Sequence, residues 1–369
     1  MKPRVIALYL PQYHPTPHND LWWGKGFTEW TNVGKAKKLF PGHEQPKVPA
    51  DLGYYDLRLP EAREAQAELA REAGVEAFCY YHYWFGNGHE ELDLPFKETL
   101  RTRRPDFPFC LCWANETWYS KFWNMDGKVS KKPIAEQLYP GDEDIINHFN
   151  SLLSAFKDDQ IGRASCRERV NGKLFFMVYM PFEYPEMKHF MDVWNRLAKE
   201  KGLEGFYFVA HLVHGGDITP KNVEKLIKMG FDSVNVAGLF RAIKKERSFF
   251  DRVVHKVLNR PYIMKYESII PEMIKEEDNR KEVIPTITPN WDHSPRSGAS
   301  GVVVTEVTAD LFKTLIRKAI NIIKDRTQEE AIIILKAWNE WGEGNYMEPD
   351  LKHGKMYINA LRETLEEVK

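Results

Sequence analysis

The chain has 369 residues with a net charge of -1, and 43% of the residues are hydrophobic. This composition allows a large folded core, and the near-neutral charge argues against nucleic-acid or polybasic membrane partners. The sequence has no run of about 18 apolar residues, so we expect no membrane span. The apolar run at the N-terminus ends at Pro11 and is too short for a signal peptide, which predicts a cytoplasmic protein.

Eight apolar runs alternate with helical patterns along the chain. The predicted strands cover residues 4–10, 75–83, 107–113, 174–180, 206–213, 233–237, 283–288 and 331–337. The predicted helices cover residues 59–73, 90–101, 142–157, 186–201, 219–228, 249–277, 309–325 and 353–368. This alternation is typical of an α/β fold, a single (β/α)8 (TIM) barrel over residues 1–369 with a long aromatic-rich insertion after the first strand. The alternative is a doubly wound open sheet, but the turn after the first strand, residues 11–15, lacks the glycines that such a fold requires.

The four cysteines are Cys79, Cys110, Cys112 and Cys166, and no two of them have CxxC spacing. This spacing predicts neither a zinc ribbon nor a disulfide framework. The first three lie inside predicted strands, and we expect them to be small core residues. No cofactor is indicated.

The insertion, residues 14–60, is rich in tryptophan, glycine and acidic residues. Loops of this length in a compact domain are usually functional or disordered, and the tryptophans argue against disorder. We therefore expect Trp22, Trp23, Glu29 and Trp30 to form one wall of a binding cleft. The alternative for the tryptophans is packing within the loop itself.

Residues 161–170 are locally basic and unlike the sequence on either side. They match the translation of a widely used sequencing-library adapter, so we interpret them as an assembly artefact in a surface loop. No function is assigned to Cys166 or to the arginines of this segment. Resequencing the locus from genomic DNA tests this interpretation, and an intact segment there would contradict it.

The last predicted strand leads into the motif that carries the chemistry. Residues 332–335 are an apolar, β-branched run, and the chain then continues as Trp338-Asn-Glu340-Trp-Gly-Glu343. Catalytic residues of barrel enzymes lie at the C-terminal ends of the strands. Two glutamates beside tryptophans suit a sugar cleft, with carboxylates for acid and base catalysis and aromatic faces for stacking. The alternative is a strand end whose carboxylates are solvated or paired.

Further candidates for substrate binding lie at other strand ends and beside the motif. They are His14, Tyr81, His82, Trp84, Trp113, Asn115, Glu116, His211, Trp291, Trp338, Asn339 and Trp341. For Glu116 the alternative is a paired structural acid. His211 and His214 suggest a metal, but no third ligand is evident, so we expect hydrogen-bonded core histidines and no metal site.

Several segments together resemble the WbsX-type proteins. These segments are Tyr9-Leu-Pro-Gln-Tyr-His14-Pro, Trp22-Trp-Gly-Lys-Gly-Phe-Thr-Glu29-Trp30-Thr-Asn, Tyr80-Tyr-His-Tyr-Trp84, Trp113-Ala-Asn-Glu116 and Trp338-Asn-Glu340-Trp-Gly-Glu343-Gly. WbsX-type proteins occur in bacterial surface-polysaccharide gene clusters and are often called glycosyltransferases. They are similar to glycoside hydrolase family 99, the endo-acting α-mannosidases and mannanases. The first resemblance covers nearly the whole chain, and the second covers essentially the last motif and the barrel plan.

The resemblance to family 99 implies roles for the two glutamates. Glu340 would deprotonate the 2-hydroxyl of the substrate, which displaces the leaving group and gives a 1,2-anhydro sugar. Glu343 would protonate the leaving oxygen and then activate water, with retention of configuration. Carboxyl groups about 5 Å apart fit such a retaining geometry. Gly342 stands where family 99 usually has a bulkier residue, which suggests a different substrate.

The leading prediction is a metal-independent, retaining, endo-acting glycoside hydrolase on an α-mannose-like polysaccharide. The first alternative is a glycosyltransferase of lipopolysaccharide O-antigen or capsule biosynthesis, which the missing export signal favours. The absence of a DxD-type metal and nucleotide-sugar site argues against it. The second alternative is a catalytically silent sugar-binding protein, in which we would expect one glutamate to be replaced.

Overall fold

The computed structural model describes residues 2–123, 129–157, 169–246, 255 and 257–368. Eight parallel strands form its centre. They are β1 (Arg4–Tyr9), β2 (Ala77–Trp84), β3 (Phe109–Trp113), β4 (Lys173–Val178), β5 (Phe206–Leu212), β6 (Ser233–Val236), β7 (Val283–Ile287) and β8 (Ile332–Leu335).

Each strand of this set pairs in parallel with the next one along the chain, and β8 pairs with β1. The last pairing places Arg4 opposite Ile332, and the β1–β2 pairing places Ile6 opposite Ala77. The sheet is therefore closed, which confirms the predicted (β/α)8 barrel and excludes the open sheet. β8 is fully buried because it lies between two strands and under helices, as its apolar sequence predicts.

Helices follow the strands on the outside of the barrel. The principal ones are Pro60–Ala73, Leu94–Thr102, Asp142–Phe156, Met187–Glu200, Pro220–Met229, Gly238–Glu246, Tyr266–Met273, Ala309–Ile323 and Met356–Glu366. Their ends follow local rules: Pro60 is in the first turn of its helix, and Gly74 ends that helix with a φ of 85°. None of the helices in the described ranges is both long and apolar enough to cross a membrane.

Two parts of the secondary-structure prediction are wrong. Tyr262–Lys265, predicted as helix, is a strand that pairs in parallel with Val302–Thr305. This pairing joins segments about 40 residues apart, so no local pattern reveals it. The region predicted as helix from residue 90 begins with a short strand, Glu90–Glu91, paired with β2, and its helix starts at Leu94. Residues 249–254 and 256 of the first region lie outside the described residues.

The hairpin Trp118–Trp123 with Val129–Ala135 and the helix Gly238–Glu246 were not predicted. The hairpin follows β3 and rises from the C-terminal face of the barrel. The three cysteines predicted to be core residues are buried, which confirms that expectation.

The insertion after β1 contains two short helices, α1 (Pro17–Trp23) and α2 (Glu29–Gly34). The amide of Glu29 donates to the carbonyl of Gln12, which fixes the start of α2 beside the end of β1. The ring of Trp30 lies 5.6 Å from that of Trp341, between centroids. The insertion therefore packs onto the loop after β8.

Residues 161–168 of the suspected artefact, including Cys166, lie outside the described residues. Arg169–Val170 form a short strand antiparallel to β4. The interpretation of this segment as an artefact therefore stays a prediction.

Candidate functional site

The two glutamates of the last motif lie on a tight loop beyond β8. Asn339–Glu340 pair antiparallel with Asn345–Tyr346, and the residues between them form a single 3-10 turn. Gly344 reverses the chain with a φ of 54°, and a Cβ atom there would lie 2.6 Å from the Cβ of Asp292. Glycine at this position therefore allows the turn that brings Glu340 and Glu343 to the same side.

A buried hydrogen-bond network holds this loop from behind. The Asn339 side chain accepts from the amide of Leu10 at 2.8 Å and donates to its carbonyl at 3.0 Å. The indole of Trp341 donates to Glu348 Oε2 at 2.6 Å, and Gln66 donates to Glu348 Oε1 at 2.6 Å. Burial raises the pKa of Glu348 to about 7, even though these hydrogen bonds lower it. Glu348 therefore supports the loop.

A cleft of about 490 Å³ opens beside the loop at the C-terminal face of the barrel. Six of the residues predicted from the sequence line it: Trp23, Glu29, Tyr81, Glu116, Glu340 and Glu343. The cleft therefore lies at the C-terminal ends of the strands, where the catalytic residues of barrel enzymes are expected. Its carboxylates come from three different segments of the chain.

Two cations that the sequence analysis did not select lie among these carboxylates. Lys336 Nζ lies 3.4 Å from Glu340 Oε2 and 3.8 Å from Glu343 Oε2. Arg296 donates to Glu343 Oε1 at 2.6 Å and to Glu29 Oε1 at 2.9 Å. Both catalytic candidates therefore contact one ammonium group, while the guanidinium pairs with only one of them.

This arrangement separates the pKa values of the two glutamates. Burial, followed by the negative charge of Glu343, raises the pKa of Glu340 to about 8, although Lys336 and Arg296 lower it. Burial acts to raise the pKa of Glu343 as well, but Arg296, Glu340 and Lys336 together hold it well below its usual range. At neutral pH the pair therefore holds one proton, and the Arg296 contact favours the ionised form of Glu343.

Glu29 accepts from Arg296 and also restricts the backbone of the motif, because its carboxylate lies against that backbone. A Cβ atom on Gly342 would lie 1.6 Å from Glu29 Oε1. A side chain at position 342 would therefore have to displace the Glu29 carboxylate, which Arg296 and Asn32 hold in place. The side chain of Glu29 is 2% exposed, and Asn32 also donates to it.

Four predicted residues lie behind the cleft wall and do not line it. His82 Nε2 lies 2.8 Å from His148 Nε2, and burial lowers the pKa of His82 to about 3. The Trp84 ring stacks on His148, and the Trp113 indole donates to the carbonyl of Trp84. The side chain of Asn115 is fully buried and bonded to both backbone groups of Met180 that face it, N–H and C=O. These contacts hold strand ends together.

Five further candidates do not line the cleft, and all of them are buried except Trp30, which is half-buried. Trp30 donates to the carbonyl of Tyr55, and Trp341 stacks on Tyr346 with the ring centroids 3.8 Å apart. Trp338 and Asn339 are 0% exposed, and His14 is 2% exposed. Burial lowers the pKa of His14.

The last two candidates, His211 and Trp291, do not line the cleft either. His211 is buried and bonded through Nδ1 to Asn235, which matches the expected hydrogen-bonded core histidine. Trp291 lines a second cavity of about 670 Å³ on the far side of the loop, while Lys336 lies 5.9 Å from the centre of its ring.

Several residues that line the cleft were not predicted from the sequence. They are Leu10, Gln12, Phe27, Thr31, Asn32, Lys35, Ala114, Trp118, Tyr119, Tyr179, Arg296 and Lys336. Lys336 could have been found, since a lysine directly after a buried apolar run is unusual. Tyr179 directly follows β4 at the same edge of the barrel, so its position at a strand end could have identified it. No local sequence pattern around Arg296 predicts its position in the cleft.

The chain is similar in sequence to known proteins. A family model described as Glycosyltransferase WbsX matches residues 5–361. The chain belongs to the WbsX family. A protein of Xanthomonas campestris pv. campestris, named uncharacterized protein WxcX, is 30% identical over 362 residues, which are 98% of this chain and 49% of that protein. The chain thus spans about half the length of the curated relatives it matches.

The barrel of this WbsX-family chain also resembles solved structures. The GH99 endo-alpha-mannosidase from Bacteroides thetaiotaomicron is 13% identical, with a TM-score of 0.56, over 99% of this chain and 97% of the other. A structure described as a glycoside hydrolase-like protein is 12% identical, with a TM-score of 0.61, over 99% of this chain and 94% of the other. At these identities the likeness shows the fold alone.

Proposed function

We propose that this chain is a retaining, endo-acting glycoside hydrolase that cleaves an α-mannose-like polysaccharide with Glu340 and Glu343. The observation that carries the proposal is the pair itself. Two carboxylates face one cleft, contact the same lysine and have pKa values on opposite sides of neutrality. A retaining glycosidase needs one carboxylic acid and one carboxylate that face the same substrate.

The charges favour an exchange of the roles that the resemblance to family 99 implies. A proton donor must carry its proton at the working pH, and burial beside Glu343, whose charge Arg296 stabilises, favours the protonated form of Glu340. Glu343 is bonded to Arg296 and is ionised, so it is suited to accept a proton from the attacking hydroxyl. We therefore assign Glu340 as the acid and Glu343 as the base of the first step.

The walls of the cleft support a polysaccharide substrate. Trp23 is 39% exposed and Tyr119 is 48% exposed, and both line the cleft. Exposed aromatic faces at the mouth of a cleft allow sugar rings to stack beyond the reacting unit. An α-mannose-like chain is proposed from the barrel likeness to an endo-alpha-mannosidase.

The family description favours a second candidate, transfer from a nucleotide sugar during surface-polysaccharide biosynthesis. Such transferases commonly hold the nucleotide diphosphate through a metal bound by aspartates. Among the described residues that line the cleft there is no aspartate, and two of the three cations there, Arg296 and Lys336, are already paired with glutamates. A silent sugar-binding protein would not need the separated pKa values of the pair.

The discriminating experiment offers the protein two sets of compounds. One set contains α-mannans and extracted bacterial surface polysaccharides, and the other contains nucleotide sugars with acceptor glycans. New reducing ends with the first set, absent in Glu340→Gln and Glu343→Gln, support hydrolysis. Transfer from a nucleotide sugar without new reducing ends would overturn the proposal.

A further inference from the structure

A cluster of two histidines and one glutamate lies outside the cleft, where α1 meets the hairpin after β2. The Nδ1 atom of His18 and the Nε2 atom of His89 both contact Glu91 Oε1, the latter at 2.8 Å. Within the described ranges, this is the group of three such side chains whose ligand atoms all lie within 4.8 Å of one another. Two imidazole nitrogens and a carboxylate oxygen are ligands that zinc prefers.

The backbone holds the ligands in place from two independent segments. Glu91 lies opposite Tyr83 in the antiparallel pairing with β2, and its carboxylate is 4% exposed. The amide of His89 donates to the carbonyl of Gly86 at 3.0 Å, which closes the turn before that strand. His18 is one residue into α1, in the insertion after β1. A metal ion there would join two segments that are about 70 residues apart in the chain.

The open side of the cluster suits the remaining coordination position. The side chain of His18 is 50% exposed and that of His89 is 38% exposed, while Glu91 is buried behind them. Three protein ligands with one solvent-facing position form the usual open zinc site, in which water is the fourth ligand. Both histidines converge on one carboxylate oxygen, so the three ligand atoms lie close enough together for one ion to join them.

We propose that His18, His89 and Glu91 bind one divalent transition-metal ion of the zinc type. The ion fastens α1 to the hairpin after β2 and thereby fixes one wall of the cleft. Contacts between aromatic rings connect the metal site to the cleft. Trp22 stacks on His18 and contacts the edge of Trp118, which lines the cleft. The site is separate from Glu340 and Glu343, so it is independent of the catalytic proposal.

The test uses the full chain without an affinity tag, stripped with chelator and titrated with zinc chloride by calorimetry. We expect one zinc ion per chain, a higher melting temperature with zinc, and tetrahedral visible bands when cobalt(II) replaces zinc. His18→Ala and His89→Ala change partly exposed residues and should fold. Each should weaken zinc binding by more than the roughly 10- to 100-fold that loss of an outer-shell partner causes.

The matched control is His189→Ala. His189 pairs with Asp142 at 2.7 Å and is 48% exposed, but the described residues give this pair no third ligand. This variant should bind zinc as the unchanged chain does. Absence of stoichiometric zinc binding by the unchanged chain, or equal affinity in His89→Ala, would overturn the proposal. Either result leaves the hydrolase proposal untouched, because the reducing-end assay tests that separately.

Discussion

The carboxylate of Glu29 occupies the space that a side chain at position 342 would need, since a Cβ atom there lies 1.6 Å from Glu29 Oε1. The same carboxylate accepts from Arg296, which also binds Glu343. The insertion after β1 and the loop after β8 are therefore fitted to each other. This relationship accounts for glycine at the position where family 99 usually has a bulkier residue.

The first prediction concerns Gly342→Ala. The added methyl group must displace Glu29 or the loop, and overpacking of this kind costs about 1–3 kcal/mol. We expect a lower free energy of unfolding, measured by urea denaturation, and a large loss of kcat. Gly34→Ala is the matched control, because nothing lies within 4 Å of a Cβ atom there and the residue is helical. Equal behaviour of the two variants would show that Glu29 does not constrain the motif.

The second prediction concerns the guanidinium beside the base. Arg296→Met removes the partner that lowers the pKa of Glu343, so that pKa should rise. The acidic limb of the kcat/KM profile should move to higher pH, and kcat/KM should fall by about 100-fold because the carboxylate loses its orientation. Arg317→Met serves as the control, since it breaks an exposed pair with Glu367. An unmoved acidic limb in Arg296→Met would separate Glu343 from the base role.

The third prediction concerns stability as a function of pH. The pKa of Glu340 is raised to about 8 in the folded chain, so its contribution to stability is full below the unfolded pKa and is lost as pH rises through about 8. Glu340→Gln removes this loss. The variant should therefore melt at a higher temperature than the unchanged chain near pH 8, and the difference should shrink towards pH 4. A variant that is less stable at both values would indicate that Glu340 is ionised in the folded chain.

The fourth prediction separates the acid from the base. A substrate with a fluoride or activated aryl leaving group does not need protonation for departure. Glu340→Gln should therefore cleave such an α-mannosyl substrate at a rate within about 10-fold of the unchanged chain, while Glu343→Gln should not. The opposite pattern would restore the assignment that the resemblance to family 99 implies. Rates of leaving-group release in both variants provide the measurement.

Local sequence patterns were sufficient to predict the barrel and to select two glutamates that line the cleft. An apolar run such as residues 332–335 predicts a buried strand, and carboxylates directly after it are out of place in a core. The position of Arg296 could not be predicted, because its contacts with Glu29 and Glu343 join distant segments. Clusters of aromatic residues were also ambiguous, since Trp113 and Trp338 fill the core while Trp23 lines the cleft.

The measurement that tests the central claim most directly is the anomeric configuration of the first product. The protein is mixed with an α-mannan, and the new reducing end is followed by proton NMR before mutarotation is complete. The account predicts that the α-anomer appears first and that Glu340→Gln and Glu343→Gln yield no new reducing ends from this polymer. A β-anomer formed first, or product formed at an unchanged rate by either variant, would contradict it.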